Sequence, residues 1–196
     1  MSPETVPELM TAEEFLALPD DGIDRDLIRG VVVERGKANM TRRNRRHAQA
    51  EASLSKVLGT WADSLSPVPG VVLAGEVGCI LRGKPDTIVG IDVVFITAEH
   101  AARQSEITTM IDGAPLLAVE ILSPSDKQED IGKKVDDYLK SGVALVWILD
   151  THFQTVTVHR PGLKPELFNS DQDLSGGDLL PGFDVSVAAL FGRPGA

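Results

Sequence analysis

The chain has 196 residues, 42% of them hydrophobic and 24% charged, with a formal net charge of −10. That composition supplies a packed core and excludes the disordered, collagen-like and coiled-coil classes. With 19 bases against 29 acids it also excludes bulk electrostatic binding of nucleic acid or anionic membrane, so a polyanion would need a local basic patch or a bound cation.

The length fits a single domain over residues 1–196, with residues 1–10 as a loose leader. No stretch approaches the ~20 apolar residues of a membrane span, and the acidic start lacks the blocks of a signal peptide. Cys79 is the one cysteine and has no internal disulfide partner. The expectation is a cytoplasmic protein without a membrane partner.

Thr11-Ala12-Glu13-Glu14 is a capping-box pattern that opens a short helix stopped by Pro19. Residues 26–29 and 31–34 flank Gly30 and predict two short strands. From Arg45 to Leu65, the stripe Leu54, Val57, Leu58, Trp61 and Leu65 predicts a long helix. Val71 to Leu81 predicts a hairpin broken near Gly75 and Gly78, and residues 83–86 a loop. Ile91 to Thr97 and Leu116 to Leu122 are short, nearly continuous apolar runs, the mark of central strands covered on both faces. Ser125 to Gly142 predicts a second helix with Ser125 as its cap, and two further strands follow over 144–149 and 154–160. The tail is turn-rich until Val185 to Phe191. The fold class expected is α+β (α/β), a mixed central sheet flanked by helices.

A carboxylate interrupts each of the two apolar runs: Asp92 in one and Glu120 in the other. Burying an unpaired carboxylate costs several kcal/mol, so each must reach solvent at a strand end, pair with a base or bind a cation. Two such acids on neighbouring strands raise each other's pKa, and a hard divalent cation with oxygen ligands resolves the repulsion. On the helix after Glu120, residues Ile131, Val135, Tyr138 and Leu139 share a face. Lys134 flanks that face within reach of the carboxylates, whereas Lys133 points to water and Lys127 is the runner-up cation. Arg42, Arg43, Arg45 and Arg46, with Lys37 nearby, form a local basic patch, either a nucleic-acid-binding surface or a solubilising loop. His47, at the start of a helix, reads as a surface or capping residue more readily than a catalytic one.

Asp92, the segment Val119-Glu120-Ile121-Leu122-Ser123-Pro124-Ser125-Asp126, and Lys134 ahead of Tyr138 and Gly142-Val143 together resemble a known family. It is the Uma-two family of restriction endonucleases, once a domain of unknown function, within the PD-(D/E)XK nuclease superfamily. The similarity runs from Met10-Thr11-Ala12 through residues 26–30 to Leu180-Pro181-Gly182-Phe183. It implies a restriction-endonuclease-like core acting on DNA with Mg2+, for which Mn2+ can substitute. Asp92 and Glu120 would be catalytic and bind the metal, with the backbone carbonyl of Ile121 as a further ligand. The family lysine is displaced from the strand, where Leu122 stands, to the next helix, which matches Lys134 as the third catalytic residue. Asp26 matches an outer acidic ligand, and His47 a position commonly near the site. The chain departs from the family pattern with Gly90-Ile91-Asp92 for Ala-Pro-Asp, Arg25-Asp26 for Tyr-Glu, and Lys133 at a commonly acidic place. By analogy a homodimer is expected, with the apolar strands near the C-terminus as its interface. A catalytically idle fold retained for nucleic-acid binding or protein interaction, and a metallohydrolase acting on a small phosphate, are the alternatives.

Overall fold

The apolar runs form the middle of a mixed β-sheet, where both faces have to be covered. The structure, a computed structural model, describes residues 9–37, 44–105, 109–123 and 126–192. Its nine-stranded sheet holds β1 (Ile23–Ile28), β2 (Val31–Lys37), β3 (Gly70–Leu81), β4 (Thr87–Thr97), β5 (Ile111–Asp112), β6 (Leu117–Leu122), β7 (Leu145–Asp150), β8 (Thr155–His159) and β9 (Glu166–Phe168). The path across it is β2-β1-β4-β6-β7-β8-β9, with β3 paired to β4 and β5 to β3. Strands β6 and β7 are parallel, and the helix between them makes the crossover that parallel pairing requires.

Helix α2 (Arg45–Ser64) covers one face with Ala50, Leu54, Leu58 and Trp61 set against Val93, Phe95, Leu117, Val119 and Trp147. Helix α4 (Gln128–Lys140) covers the other, where Val135 and Tyr138 meet Val94, Ala118, Val146 and Ile148. The short α1 (Ala12–Leu16) carries the expected capping box at Thr11, and α3 (Ala98–Ala102) follows β4. A small pair, β10 (Asp173–Ser175) and β11 (Asp184–Ser186), leads into α5 (Val187–Leu190). The Leu180-Pro181-Gly182-Phe183 segment locks this end to α2. The Trp61 indole N–H donates to the Pro181 carbonyl at 3.1 Å, and Phe183 lies edge-on to Trp61.

Two expectations need correction. Residues 71–81 are not a hairpin: β3 is one strand whose pairing with β4 shifts between Ala74 and Val77, a bulge at Gly75 and Glu76. The long-range pairing overrides the local glycine signal, and positive φ at both residues absorbs the extra length. Helix α4 starts at Gln128, because Lys127 still has extended backbone; Ser125, the expected cap, lies outside the described residues. The apolar end of the turn-rich tail packs into the chain's own core, with Val187 and Leu190 fully covered. Among the described residues no helix is long and apolar enough to cross a membrane.

The two edges of β4 decide where the site lies. One edge is taken by β3 along its whole length. The other is shared: β1 pairs at Ile88, and β6 pairs over Val93 to Phe95. Between the two pairings lies a notch containing Asp92. Val89 and Ile91 face the α4 layer, as does Val94, whereas Val93 and Phe95 face the α2 layer. The alternation therefore changes phase at Asp92, opposite the bulge of β3.

Candidate active site

Because Asp92 sits at the phase change, its carboxylate reaches sideways to β6 and accepts the Ile121 N–H at 2.8 Å. That bond fixes it next to Glu120, whose side chain alternates onto the α4 face with Ala118. Glu120 accepts from Lys134 Nζ at 2.9 Å and from the Tyr138 hydroxyl at 2.5 Å. Lys134 and Tyr138 are four apart on α4 and so project together, one turn above the other. Lys133, one position earlier, points outward and pairs with Glu129, as expected from the helical wheel. Lys127 lines the hollow over Glu120 but makes no ion pair among the described residues.

The electrostatics are dominated by burial. Burial pushes the Glu120 carboxyl above the usual carboxylate range; the Lys134 ammonium pulls it down, and the Asp92 charge pushes it up again. Asp26 on β1 accepts from Arg35 of β2 at 2.5 Å, yet burial still holds its carboxyl high. Burial alone would lower the Arg35 guanidinium, but Asp26 outweighs it and the net shift is upward. Burial, reinforced by Glu120, raises the Tyr138 hydroxyl well above its ordinary value, so it donates a hydrogen bond and keeps its proton. Cys79 lies buried at the same layer, with its thiol pushed up to about 12, which leaves it unreactive.

His47 is a correction. Far from lying on the surface, it is completely buried on the core face of α2, one turn before Ala50. Its Nε2 is 3.3 Å from Asp92 and its Nδ1 3.7 Å from Glu51, but neither nitrogen completes a hydrogen bond among the described residues. The structure thus brings Asp26, His47, Asp92, Glu120 and Lys134 to one notch from five elements, and Ile121 contributes backbone there. Tyr138, read in the sequence as a core and motif residue without a site role, and Arg35, not singled out at all, join them. A tyrosine one turn past the lysine was the available signal for the first; an arginine on a short, exposed edge strand gave none for the second. Arg45 and Arg46 open α2, while Arg42 and Arg43 lie outside the described residues.

A family model described as "Putative restriction endonuclease", Uma2, matches residues 12–188. The chain belongs to the Uma2 family. The Uma2 chain also resembles the crystal structure of a protein described as a putative nuclease belonging to DUF820 from Anabaena variabilis ATCC 29413. The TM-score is 0.72 at 23% identity, covering 93% of this chain and 97% of that one. No curated protein matches it. The family and the shared fold make this a restriction-endonuclease-like chain, and its notch lies where β1 and β6 leave the shared edge of β4.

Among the described residues no three acids, histidines or cysteines of the Uma2 chain are gathered closely enough to form a ready-made metal shell. What the notch does offer is two carboxylates on adjacent strands, Asp92 buried and Glu120 nearly so, and the Glu120 carboxyl stays high in spite of Lys134. That oxygen-only, electron-rich pair fits a hard cation that keeps several of its waters, which is the habit of magnesium. Asp92 and Glu120 could hold such an ion.

Proposed function

We propose that this Uma2 chain is a Mg2+-dependent endonuclease hydrolysing phosphodiester bonds in DNA, with Mn2+ able to replace Mg2+. The reading rests chiefly on the pair Glu120 and Lys134, an acid and an amine held 2.9 Å apart at a partly enclosed hollow, with Asp92 bound to the backbone of the next residue, Ile121. Asp92 and Glu120, with the Ile121 carbonyl, would hold the ion. Bound there, Mg2+ would lower the pKa of water and polarise the phosphoryl oxygen. The Ile121 N–H fixes the direction of Asp92, and Tyr138 fixes Glu120, so neither carboxylate must reorganise when substrate arrives. The Lys134 ammonium, one-third exposed at the mouth, turns between Glu120 and an incoming phosphate and offsets the charge that builds on its oxygens. Asp26, paired with Arg35, holds a second negative charge behind Lys134 and keeps the ammonium at the site.

The test is cleavage of supercoiled plasmid and of single-stranded DNA in Mg2+ or Mn2+, comparing the wild type with Glu120→Gln. The wild type is expected to nick and the variant to be silent. A wild type that cuts nothing, or a variant that keeps full activity, ends the proposal. One observation favours a second reading, a binding module without chemistry: both Glu120 oxygens are already engaged, by Lys134 and Tyr138.

A further inference from the structure

Arg25, Arg29, Arg35, Arg82, Arg103 and Arg160 each pair with a carboxylate. Arg45 and Arg46 make no ion pair among the described residues, although the chain carries a net charge of −10. They open instead onto a polar hollow of about 300 Å³, completed by Gln49, Thr151, His152 and Gln154. Two exposed guanidiniums left unneutralised in so acidic a protein, facing amide and imidazole donors across a hollow, make a phosphate-sized cationic pocket.

Shared lining residues link this pocket, through a second hollow, to the candidate active site. Thr151 and His152 also line a second hollow of about 350 Å³ together with Leu122, Asp126 and Ile131. Those last three in turn line the hollow over Glu120 and Lys134, of about 190 Å³. The first hollow lies on the α2 side of the sheet and the last on the α4 side, so the channel bends round the end of β7 at the turn of residues 150–154. Asp126 and Asp150 make the middle acidic. Each has an oxygen engaged by backbone N–H groups: Asp126 by Ser123, and Asp150 by His152 and Phe153. The middle therefore suits sugar and base, and the arginine end suits phosphate. On the same turn Phe153 is 73% exposed, with its ring held edge-on to His152 at 4.8 Å between centroids. An apolar ring held out to solvent beside a cationic pocket is what base stacking uses.

Resting on the nuclease reading above, we propose that the DNA strand entering the site is unpaired: it bends round the β7 end, sets a phosphate on Arg45 and Arg46, and stacks a base on Phe153. A duplex, stiff over some 150 base pairs, cannot turn round the end of one strand, whereas a single strand can.

The experiment is fluorescence anisotropy without metal, using one labelled oligodeoxynucleotide as a single strand and as a duplex with its complement. The wild type should bind the single strand at least tenfold more tightly than the duplex. Arg45→Gln/Arg46→Gln should weaken single-strand binding about tenfold and flatten its salt dependence. Phe153→Ala, which removes an exposed ring and leaves the core intact, should weaken it about fivefold or more. Duplex binding equal to or tighter than single-strand binding, or a Phe153→Ala protein indistinguishable from wild type, overturns the inference, and plasmid cleavage by that same protein leaves the nuclease reading standing. Preference for the single strand with no cleavage of any DNA leaves the channel standing and overturns the nuclease reading. Binding to neither DNA overturns the channel.

Discussion

Two clusters of acids and bases lie at opposite extremes of solvation in this protein. In one, Arg82 bridges Asp112 and Glu13, each at 2.7 Å, in a setting where all three side chains are more than two-fifths exposed. Hydrogen bonds from Arg82 hold the Glu13 and Asp112 carboxyls below the usual range. In the other, Glu120 and Asp26 also have a cation within 3 Å, yet both stay above it because burial outweighs the partner. Residue types alone do not distinguish the two. Water neutralises the first cluster at little cost, while the second retains an unmet demand for positive charge, which is what a binding site for a cation requires.

The largest expected effect that separates them is on stability. Lys134→Met leaves a buried carboxylate without its cation and should cost about 2–4 kcal/mol at about pH 8 by chemical denaturation. Arg82→Ala should cost under about 1 kcal/mol, because its pairs are solvated. The Lys134→Met penalty should shrink as pH falls and Glu120, its carboxyl already held high by burial, takes up a proton. Equal costs for the two variants would break the comparison.

A middle-sized effect comes from Mg2+. At about ten times its Kd the ion should stabilise the wild type by about 1.4 kcal/mol, a rise in Tm of roughly 3–5 °C. Asp92→Asn should show no rise. A wild type that ignores Mg2+ up to high concentration selects the binding-module reading.

The smallest effect is the sign of the pH dependence. Glu120 and Asp26 have folded pKa values above their unfolded ones, so between those values the folded state holds more protons and stability falls as pH rises. Glu13 and Asp112 are depressed, so their contribution is present above the ordinary carboxyl range and is lost as pH falls through it. The Tm of Glu120→Gln minus that of wild type should therefore grow from about pH 5 to about pH 8. Asp112→Asn should change its difference only in acid. Melting curves of the three proteins across pH decide it, and a flat Glu120→Gln difference would place that carboxylate in water.

Wherever a local pattern and the tertiary contact agreed, the sequence sufficed. The apolar runs around Asp92 and Glu120 became central strands, and the angular position of Lys134 on its helix brought it to Glu120. Elsewhere the deciding interaction was remote. Gly75 and Gly78 look like a break until a partner strand supplies pairing along the whole of β3. The stripe of α2 was followed back only to Leu54, although Ala50 and His47 continue it at the same spacing. A histidine at the start of a helix reads as a surface or capping residue, and nothing local places Asp92, 45 positions away in the chain, 3.3 Å from its ring. Arg35 finds Asp26 only through the antiparallel return of β2 on β1, made by the two-residue turn of Arg29 and Gly30, both at positive φ.

The bulge at Gly75 and Glu76 ties the chemistry of the site to chain length. Two residues of β3 there stand against Asp92 alone on β4, where the alternation of β4 changes phase. Loss of a single codon at that point would even out the ladder and restore regular alternation through β4, turning the Asp92 side chain toward one helix or the other. The core strands could still pair, so such a gene would encode a folded protein in which Asp92 no longer meets the Ile121 N–H.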